Sequence, residues 1–260
     1  MQLMESMLNR TDRRMNLVVD IGNSRSKVVV IPSPDCASWV EYVKEGVDSE
    51  WVGSLLDRHP EVRRAIISST RDDIDAVREV VASRVEYLLD FAPATTPMPL
   101  RNAYHTPHTL GPDRMAAAVG VSQMYDAEEY MIVDFGTAIT IDYVADGAFR
   151  GGNISPGMTT RFRALADYTS KLPLCSPTDD EIAYGRTTRE AIEQGVMQGI
   201  THEIRGYITS FLAEKTKKCI IFSGGDAKYF AMRIKNAIFA DCEPVIFGLN
   251  AILNYNADKR

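Results

Sequence analysis

One strand–turn–strand pattern occurs twice in this sequence, and this repetition most constrains the fold. Residues 17–31 place two apolar, β-branched runs around a short polar turn, which predicts a buried strand, a tight turn and a second strand. Residues 131–144 follow the same pattern around Gly136. The two copies lie about one domain length apart. We therefore expect each half of the chain to carry one copy.

The first turn has the residues of a phosphate site. Asp20 ends an apolar strand, where a carboxylate is costly unless it meets a cation or hydrogen-bond donors. Gly22 allows a ligand to approach the backbone closely, and Asn23, Ser24 and the turn amides supply donors. Lys27 adds a positive charge just past the turn. The pattern predicts a hairpin that holds a phosphate chain and its metal ion.

The second turn carries Asp134 and Thr137 in the same places, and a third variant follows at residues 219–227. There an apolar strand runs into Ser223, two glycines and Asp226. A single strand that ends in Asp-x-Gly is common turn chemistry and predicts little. Three turns in this order, the first two alike, are much harder to dismiss as common turn chemistry.

Length, charge and cysteine content limit the class of protein. A chain of 260 residues is long enough for two domains. Its net charge of −6 argues against nucleic acid or an anionic membrane as the main partner. No apolar run approaches the roughly 18 residues of a membrane span. The four scattered cysteines, without a C-x-x-C pair, indicate a reduced, cytosolic protein.

The predicted domains begin after an N-terminal extension. Residues 1–14 lack the apolar core of a signal peptide, and Met15 directly precedes the first strand. We expect residues 1–14 to be a disordered extension or an upstream mis-start, residues 15–118 to form the first domain and residues 119–260 the second.

The remaining pattern predicts mixed α/β sheets with helices packed on them. We expect the following elements: helices at 50–56, 72–83, 158–167, 188–213 and 244–255, strands at 62–69 and 88–89, and an irregular connector at 91–100. Residues 151–157 are predicted to form a glycine-rich loop, which is either a structural turn or a place where the backbone approaches a ligand.

Residues 110–120 combine a helix start with charge. Pro112 suits the first turn of a helix, and the alanines that follow are strong helix formers. Asp113 and Arg114 therefore project from a helix N-terminus. Asp113 could simply complement the helix dipole. Between two phosphate hairpins, however, the pair is better explained as a base and an anion clamp.

Thr188 lies at the start of another helical segment. Glu190 and Ala191 follow it, and a threonine in that place is first of all a helix cap.

These motifs together resemble, in order and spacing, those of the type III pantothenate kinases. The resemblance covers residues 15 to about 255 and rests on the following patterns: Asp20-x-Gly-Asn-Ser-x-x-Lys27, Tyr104 before Gly111-x-Asp-Arg114, Asp134-x-Gly-Thr-Ala-x-Thr140, Gly151-Gly-x-Ile-x-Pro-Gly157 and Thr188-x-x-Ala191. The Gly-x-Asp-Arg and Asp-x-Gly-Thr-Ala motifs are the specific ones.

The resemblance implies an α/β protein with two ribonuclease-H-like domains of the actin-like ATPase fold, with a nucleotide cleft between them. It implies ATP-dependent phosphorylation of the 4′-hydroxyl of pantothenate, the first step of coenzyme A synthesis, by a cytoplasmic homodimer with shared active sites. The implied cofactors are ATP, Mg²⁺ and a monovalent cation, K⁺ or NH₄⁺.

The family roles transfer to matching positions of this sequence. The implied ATP contacts are Asp20, Ile21, Gly22, Asn23, Ser24, Arg25, Ser26, Lys27 and Thr137. The implied pantothenate contacts are Tyr104, Gly111, Pro112, Asp113, Arg114 and, from the neighbouring subunit, Thr188. Asp113 would be the general base and Asp134 the ligand of the monovalent cation. Because pantothenate is a carboxylate, we add that Arg114 has an anionic target there.

Two alternatives use the same scaffold. A non-catalytic regulatory protein could keep the fold and lose the chemistry, but Asp20, Asp113 and Asp134 are all present. A sugar kinase, another small-molecule kinase or an actin-like ATPase would share the hairpins. We would not expect one of these to carry Gly-x-Asp-Arg after Tyr104.

Overall fold

The computed structural model describes residues 15–22, 25–32, 40–44, 46–213, 216–235, 237–239 and 243–258. The predicted N-terminal extension, residues 1–14, lies outside these ranges, as do Asn23 and Ser24 of the first predicted phosphate turn. The chain divides into two compact units. The first contains the described residues of 1–99, 106–119 and 245–260, and the second contains those of 100–105 and 120–244.

Strands and helices alternate along the chain. The strands are β1 (Met15–Ile21), β2 (Ser26–Pro32), β3 (Val40–Lys44), β4 (Val62–Ser69), β5 (Tyr87–Asp90), β6 (Arg101–Asn102), β7 (Glu129–Phe135), β8 (Ala138–Ala145), β9 (Ala148–Pro156), β10 (Lys218–Ser223) and β11 (Ile238–Phe239). The helices are α1 (Ser49–Arg58), α2 (Asp75–Ala82), α3 (Pro112–Met124), α4 (Met158–Asp167), α5 (Thr188–Phe211), α6 (Ala227–Ala231) and α7 (Pro244–Ala257), with a short 3₁₀ turn at Pro107–Thr109.

The first unit is built on a mixed sheet with the strand order β3-β2-β1-β4-β5. Strand β1 pairs antiparallel with β2 and parallel with β4, and β5 continues the parallel part. Alternate residues of β1, namely Leu17, Val19 and Ile21, form a buried cluster with Leu55 of α1 and Val77 of α2. This period of two is what a strand with one face on a helical layer requires.

The opposite face of the first sheet holds the C-terminal helix. The Asn16 side chain on β1 donates hydrogen bonds to Asn250 Oδ1 at 2.7 Å and to Asn254 Oδ1 at 2.9 Å, both on α7. Asn16 and Asn250 are buried, so this polar pair is satisfied away from water. The pairing attaches the end of the chain to the first unit.

The second unit is built on a mixed sheet with the strand order β11-β10-β7-β8-β9-β6. Strands β7, β8 and β9 form an antiparallel meander, and β10 pairs parallel with β7. One face of this sheet shares a buried cluster with helices α4, α5 and α6. Phe135 at the end of β7 stacks on Phe230 with ring centroids 4.9 Å apart and meets Phe222 edge-on at 5.0 Å. The core thus anchors the residue that precedes the second turn.

The two predicted hairpins, the remaining predicted strands and the helical segments are present. Helix α2 begins at Asp75 rather than at Asp72, and the predicted C-terminal packing helix is α7. None of the described helices is long and apolar enough to cross a membrane. The fold class is therefore α/β with mixed sheets flanked by helices, as predicted.

The predicted glycine-rich loop at residues 151–157 is wrong for residues 151–156, which belong to β9. Its glycines are explained by close packing against the protein itself. A Cβ on Gly152 would lie 2.2 Å from Ile141 O, and Gly151 has a φ of +121°, which disfavours other residues. Glycine lowers the intrinsic strand propensity of this segment. The backbone hydrogen bonds to β8 nevertheless hold it as a strand.

Candidate active site

The first turn is a tight hairpin end with opposite charges across it. Asp20 on β1 and Lys27 on β2 are directly paired residues, so their side chains lie on the same face of the sheet. The Gly22 amide donates to Arg25 O at 3.1 Å. A Cβ on Gly22 would lie 2.9 Å from that oxygen. The turn therefore needs glycine to close.

Two buried hydroxyls lie beside this turn. Ser26 opens β2 and Ser68 lies near the end of β4, and both residues are at most 1% exposed. Within the described part of the chain, neither hydroxyl oxygen has a hydrogen-bond partner. Ser68 was missed from the sequence, because a lone serine in a strand carries no motif and its register is not known beforehand.

The start of α3 holds Asp113 in one conformation. Pro112 is the first helical residue, as predicted, and Asp113 Oδ1 accepts a hydrogen bond from the Arg114 amide at 2.8 Å. A Cβ on Gly111 would lie 2.6 Å from Asp113 Oδ1. Arg114 is 7% exposed, while Asp113 is exposed. This helix start belongs to the same compact unit as the first turn.

The second turn resembles the first and is held by hydrogen bonds from the residues at the start of α4. The Gly136 amide donates to Ala138 O at 3.1 Å, and a Cβ on Gly136 would lie 3.3 Å from Asp134 Oδ1. The Asp134 carboxylate therefore lies over the turn. Thr137 O accepts hydrogen bonds from the Gly157 amide at 3.0 Å and from Thr160 Oγ1 at 2.7 Å. These bonds join the turn to the start of α4.

The third turn is packed onto the second hairpin. The Asp226 amide donates to Phe135 O at 3.1 Å. Gly224 has a φ of +94°, and a Cβ on it would lie 2.5 Å from the Phe135 nitrogen. Ser223 pairs with Asp134 across β10 and β7, which places both side chains on one face. The second and third turns of the sequence pattern therefore meet at one end of the second sheet.

Tyr104 also belongs to the second unit. Its ring lies 3.5 Å from the position that a Cβ on Gly151 would take, and its centroid is 6.0 Å from that of Phe149. The Tyr104 amide donates to Asn102 Oδ1 at 3.0 Å. The ring is half-buried and held against β9.

Thr188 is not the cap of its helix, which corrects the sequence interpretation. The N-cap is Thr187, whose hydroxyl accepts from the Glu190 amide at 3.2 Å. The Glu190 carboxylate in turn accepts from the Arg186 amide at 2.7 Å. The start of α5 is thus satisfied by its neighbours, and the exposed Thr188 side chain is not needed for capping. The sequence could not separate two adjacent threonines.

The Cys219 thiol on β10 is not activated as a nucleophile. Burial raises the pKa of the Cys219 thiol on β10, which keeps it in the protonated, weakly nucleophilic form near neutral pH. Among the residues that the structure describes, no three His, Cys, Asp or Glu side chains form a group able to hold a metal ion.

Two mixed sheets flanked by helices, each with an Asp-x-Gly turn, define the actin-like kinase fold as the class of this protein. A solved protein of Campylobacter jejuni, described as a Baf family transcriptional activator, matches with a TM-score of 0.59 at 21% identity over 93% of this chain and 99% of that chain. A Sinorhizobium meliloti protein described as a 2-dehydro-3-deoxygalactonokinase matches with a TM-score of 0.57 at 16% identity over 93% and 99%. At these identities the likeness concerns the fold alone.

The sequence comparisons then specify the family. The model of the type III pantothenate kinase family matches residues 16–210. The type III pantothenate kinase of Phocaeicola vulgatus is 37% identical over 243 residues, covering 93% of this chain and 99% of that one. The chain belongs to the type III pantothenate kinase family, as predicted. Membership implies a kinase that uses ATP with a divalent metal, and pantothenate is the substrate of the family. The alternative of a non-catalytic regulatory protein is not favoured.

Proposed function

We propose that this chain transfers the γ-phosphoryl group of ATP to the 4′-hydroxyl of pantothenate, with Asp113 as the general base. The observation that carries the proposal is the start of α3, where Gly111 leaves space for an Asp113 carboxylate fixed by the Arg114 amide. A primary alcohol needs such a positioned acceptor, which contributes about 10²–10⁴-fold to the rate.

The first turn fits the phosphate chain of ATP. Its backbone is held tight at Gly22, and Lys27 supplies positive charge. We assign residues 20–27 to ATP, with Thr137 as a further contact from the second turn. When bound, the divalent cation near Asp20 neutralises phosphate charge, which is most of what phosphoryl transfer requires.

We propose Asp134 as a ligand of a monovalent cation. Its carboxylate lies over the Gly136 turn at the end of a buried strand. A carboxylate in that setting is stabilised by a positive partner. A single carboxylate with nearby carbonyl oxygens suits K⁺ or NH₄⁺ better than a transition metal, which prefers nitrogen and sulfur ligands.

For pantothenate, we propose contacts from Tyr104, from residues 111–114 and from Thr188. Tyr104 is held against Gly151 and presents a half-buried ring, and Thr188 is exposed at a helix start that it does not cap. The Tyr104 ring is therefore fixed in place by the fold, and the Thr188 side chain is not needed to cap its helix.

We also propose a homodimer in which Thr188 serves the active site of the partner subunit. The first half of α5 lines a surface groove of about 450 Å³ that includes Ala191, Gly195 and Gly199. Tyr184, which also lines the groove, is 70% exposed. Small residues in a groove beside an exposed aromatic ring suit contact with a second copy of the chain.

The test is ADP release measured with and without pantothenate. We expect release to require pantothenate and to saturate with it. A rate that pantothenate does not change across a broad concentration range would contradict the substrate assignment. ADP release that follows another alcohol instead would favour a different small-molecule kinase.

A further inference from the structure

Ser68 is a buried polar residue whose side chain has no structural use in the fold. It is 0% exposed, and its hydroxyl oxygen has no hydrogen-bond partner within the described part of the chain. The next two residues differ from it. Ser69 Oγ donates to Arg71 O at 2.9 Å, and Thr70 Oγ1 donates to Ile21 O at 3.3 Å. Only Ser68 of these three is both buried and unpaired.

The strand register places Ser68 beside Asp20. Ser68 on β4 pairs with Asp20 on β1, and Asp20 pairs in turn with Lys27 on β2. Directly paired residues point to the same face of a sheet. The three side chains therefore form a row across adjacent strands, with the Asp20 carboxylate between an ammonium group and a hydroxyl.

A purely structural explanation of Ser68 is weak. Buried hydroxyls are almost always hydrogen-bonded, because leaving one unpaired is unfavourable. If only a small side chain were needed, alanine would fill the place without that penalty. The hydroxyl is too deeply buried for a phosphate or sugar group to reach it, so its partner must come from the neighbouring side chains.

We propose that Ser68 is a positioning residue for the phosphate–metal site. Its hydroxyl donates to the Asp20 carboxylate, on the side opposite Lys27, and orients that carboxylate toward the nucleotide-bound divalent cation. This bond would give the buried hydroxyl the partner that it lacks among the described residues. Carboxylates that face metal ions are commonly held by such outer hydrogen bonds. The inference rests on the proposed function, because it requires Asp20 to face the cation.

The test is the binding of ADP by the full chain, measured by calorimetry at increasing Mg²⁺ concentrations. We expect Ser68→Ala to raise the Mg²⁺ concentration for half-maximal binding about tenfold, the usual size of an outer-shell effect. Ser68→Thr keeps the hydroxyl and should keep the wild-type value. Ile66→Val, on the same face of β4, is the control for altered packing.

The outcomes separate the two proposals. Should Ser68→Ala fail to fold, Ser68→Cys retains the volume with a weak donor and should show the same shift. A wild-type Mg²⁺ requirement in the folded alanine or cysteine variant, or a shift in Ser68→Thr as large as theirs, would overturn the role of Ser68 alone. If the wild-type chain binds no magnesium nucleotide, the proposed function falls, and this inference falls with it.

Discussion

The backbone of Gly111 and the carboxylate of Asp113 lie so close that a single methyl group cannot fit between them. A Cβ at Gly111 would lie 2.6 Å from Asp113 Oδ1. The glycine therefore determines where the carboxylate can rest, and the Arg114 amide, 2.8 Å from the same oxygen, holds it there. The close contact thus explains why glycine stands two residues before Asp113.

Replacing Gly111 by alanine should lower kcat while changing the free energy of unfolding little. The group in the way is the end of a flexible side chain, so the carboxylate can move aside, but it then leaves its catalytic position. Steady-state kinetics and thermal unfolding measure the two effects. Gly206→Ala is the matched control, because nothing lies within 4 Å of its Cβ. Unchanged kcat in Gly111→Ala would show that Gly111 does not position the base.

Activity should depend on a monovalent cation through Asp134. We expect higher rates in potassium than in sodium-only buffer, and we expect Asp134→Asn to remove the difference, because the neutral amide attracts the cation less. Asp146→Asn, in the exposed turn between β8 and β9, is the control. Equal wild-type rates in both buffers would count against the site.

Lys218 should contribute to stability through the end of α5. Its ammonium group donates to Phe211 O at 2.6 Å and lies 3.1 Å from Glu129 Oε2, with the lysine side chain 6% exposed. We expect Lys218→Met to lower the free energy of unfolding by about 2 kcal/mol, since a charged hydrogen bond is lost. Chemical denaturation measures this. The neighbouring exposed Lys217 pairs with Asp126, and Lys217→Met should change stability by less than about 0.5 kcal/mol. Equal losses would contradict the assignment.

Thr188 should complement Asp113 between subunits. In a dimer with shared sites, mixing Asp113→Asn chains with Thr188→Arg chains yields one doubly damaged site and one intact site. Activity should therefore reappear after the two variants are unfolded and refolded together, whereas each variant refolded alone stays inactive. Mixed dimers without activity would place Thr188 in the site of its own chain.

The sequence predicted those features that are local. Two apolar runs around a polar turn define a hairpin in either unit, and Pro112 before a run of alanines defines a helix start. The sequence pattern does not fix where a helix begins, because capping depends on side-chain geometry. Adjacent threonines at 187 and 188 look equivalent in sequence, yet only Thr187 accepts from the Glu190 amide.

Features that depend on distant partners were not predictable. The glycines of β9 suggested a loop, since the packing of Gly152 against Ile141 O is not visible in sequence. The attachment of α7 to the first unit through Asn16 joins residues more than two hundred positions apart. The place of Ser68 beside Asp20 follows only from the parallel register of β1 and β4.

The most direct measurement is the formation of 4′-phosphopantothenate by the wild-type chain and by Asp113→Asn, followed by mass spectrometry. We expect product from the wild type with ATP, Mg²⁺ and pantothenate, and a rate lower by about 10²–10⁴-fold in the variant, because the amide cannot accept the proton. Pantothenate binding, measured by calorimetry, should remain, since the change is nearly isosteric. An Asp113→Asn variant that keeps most of the rate, or a wild type that forms no 4′-phosphopantothenate, would contradict the account.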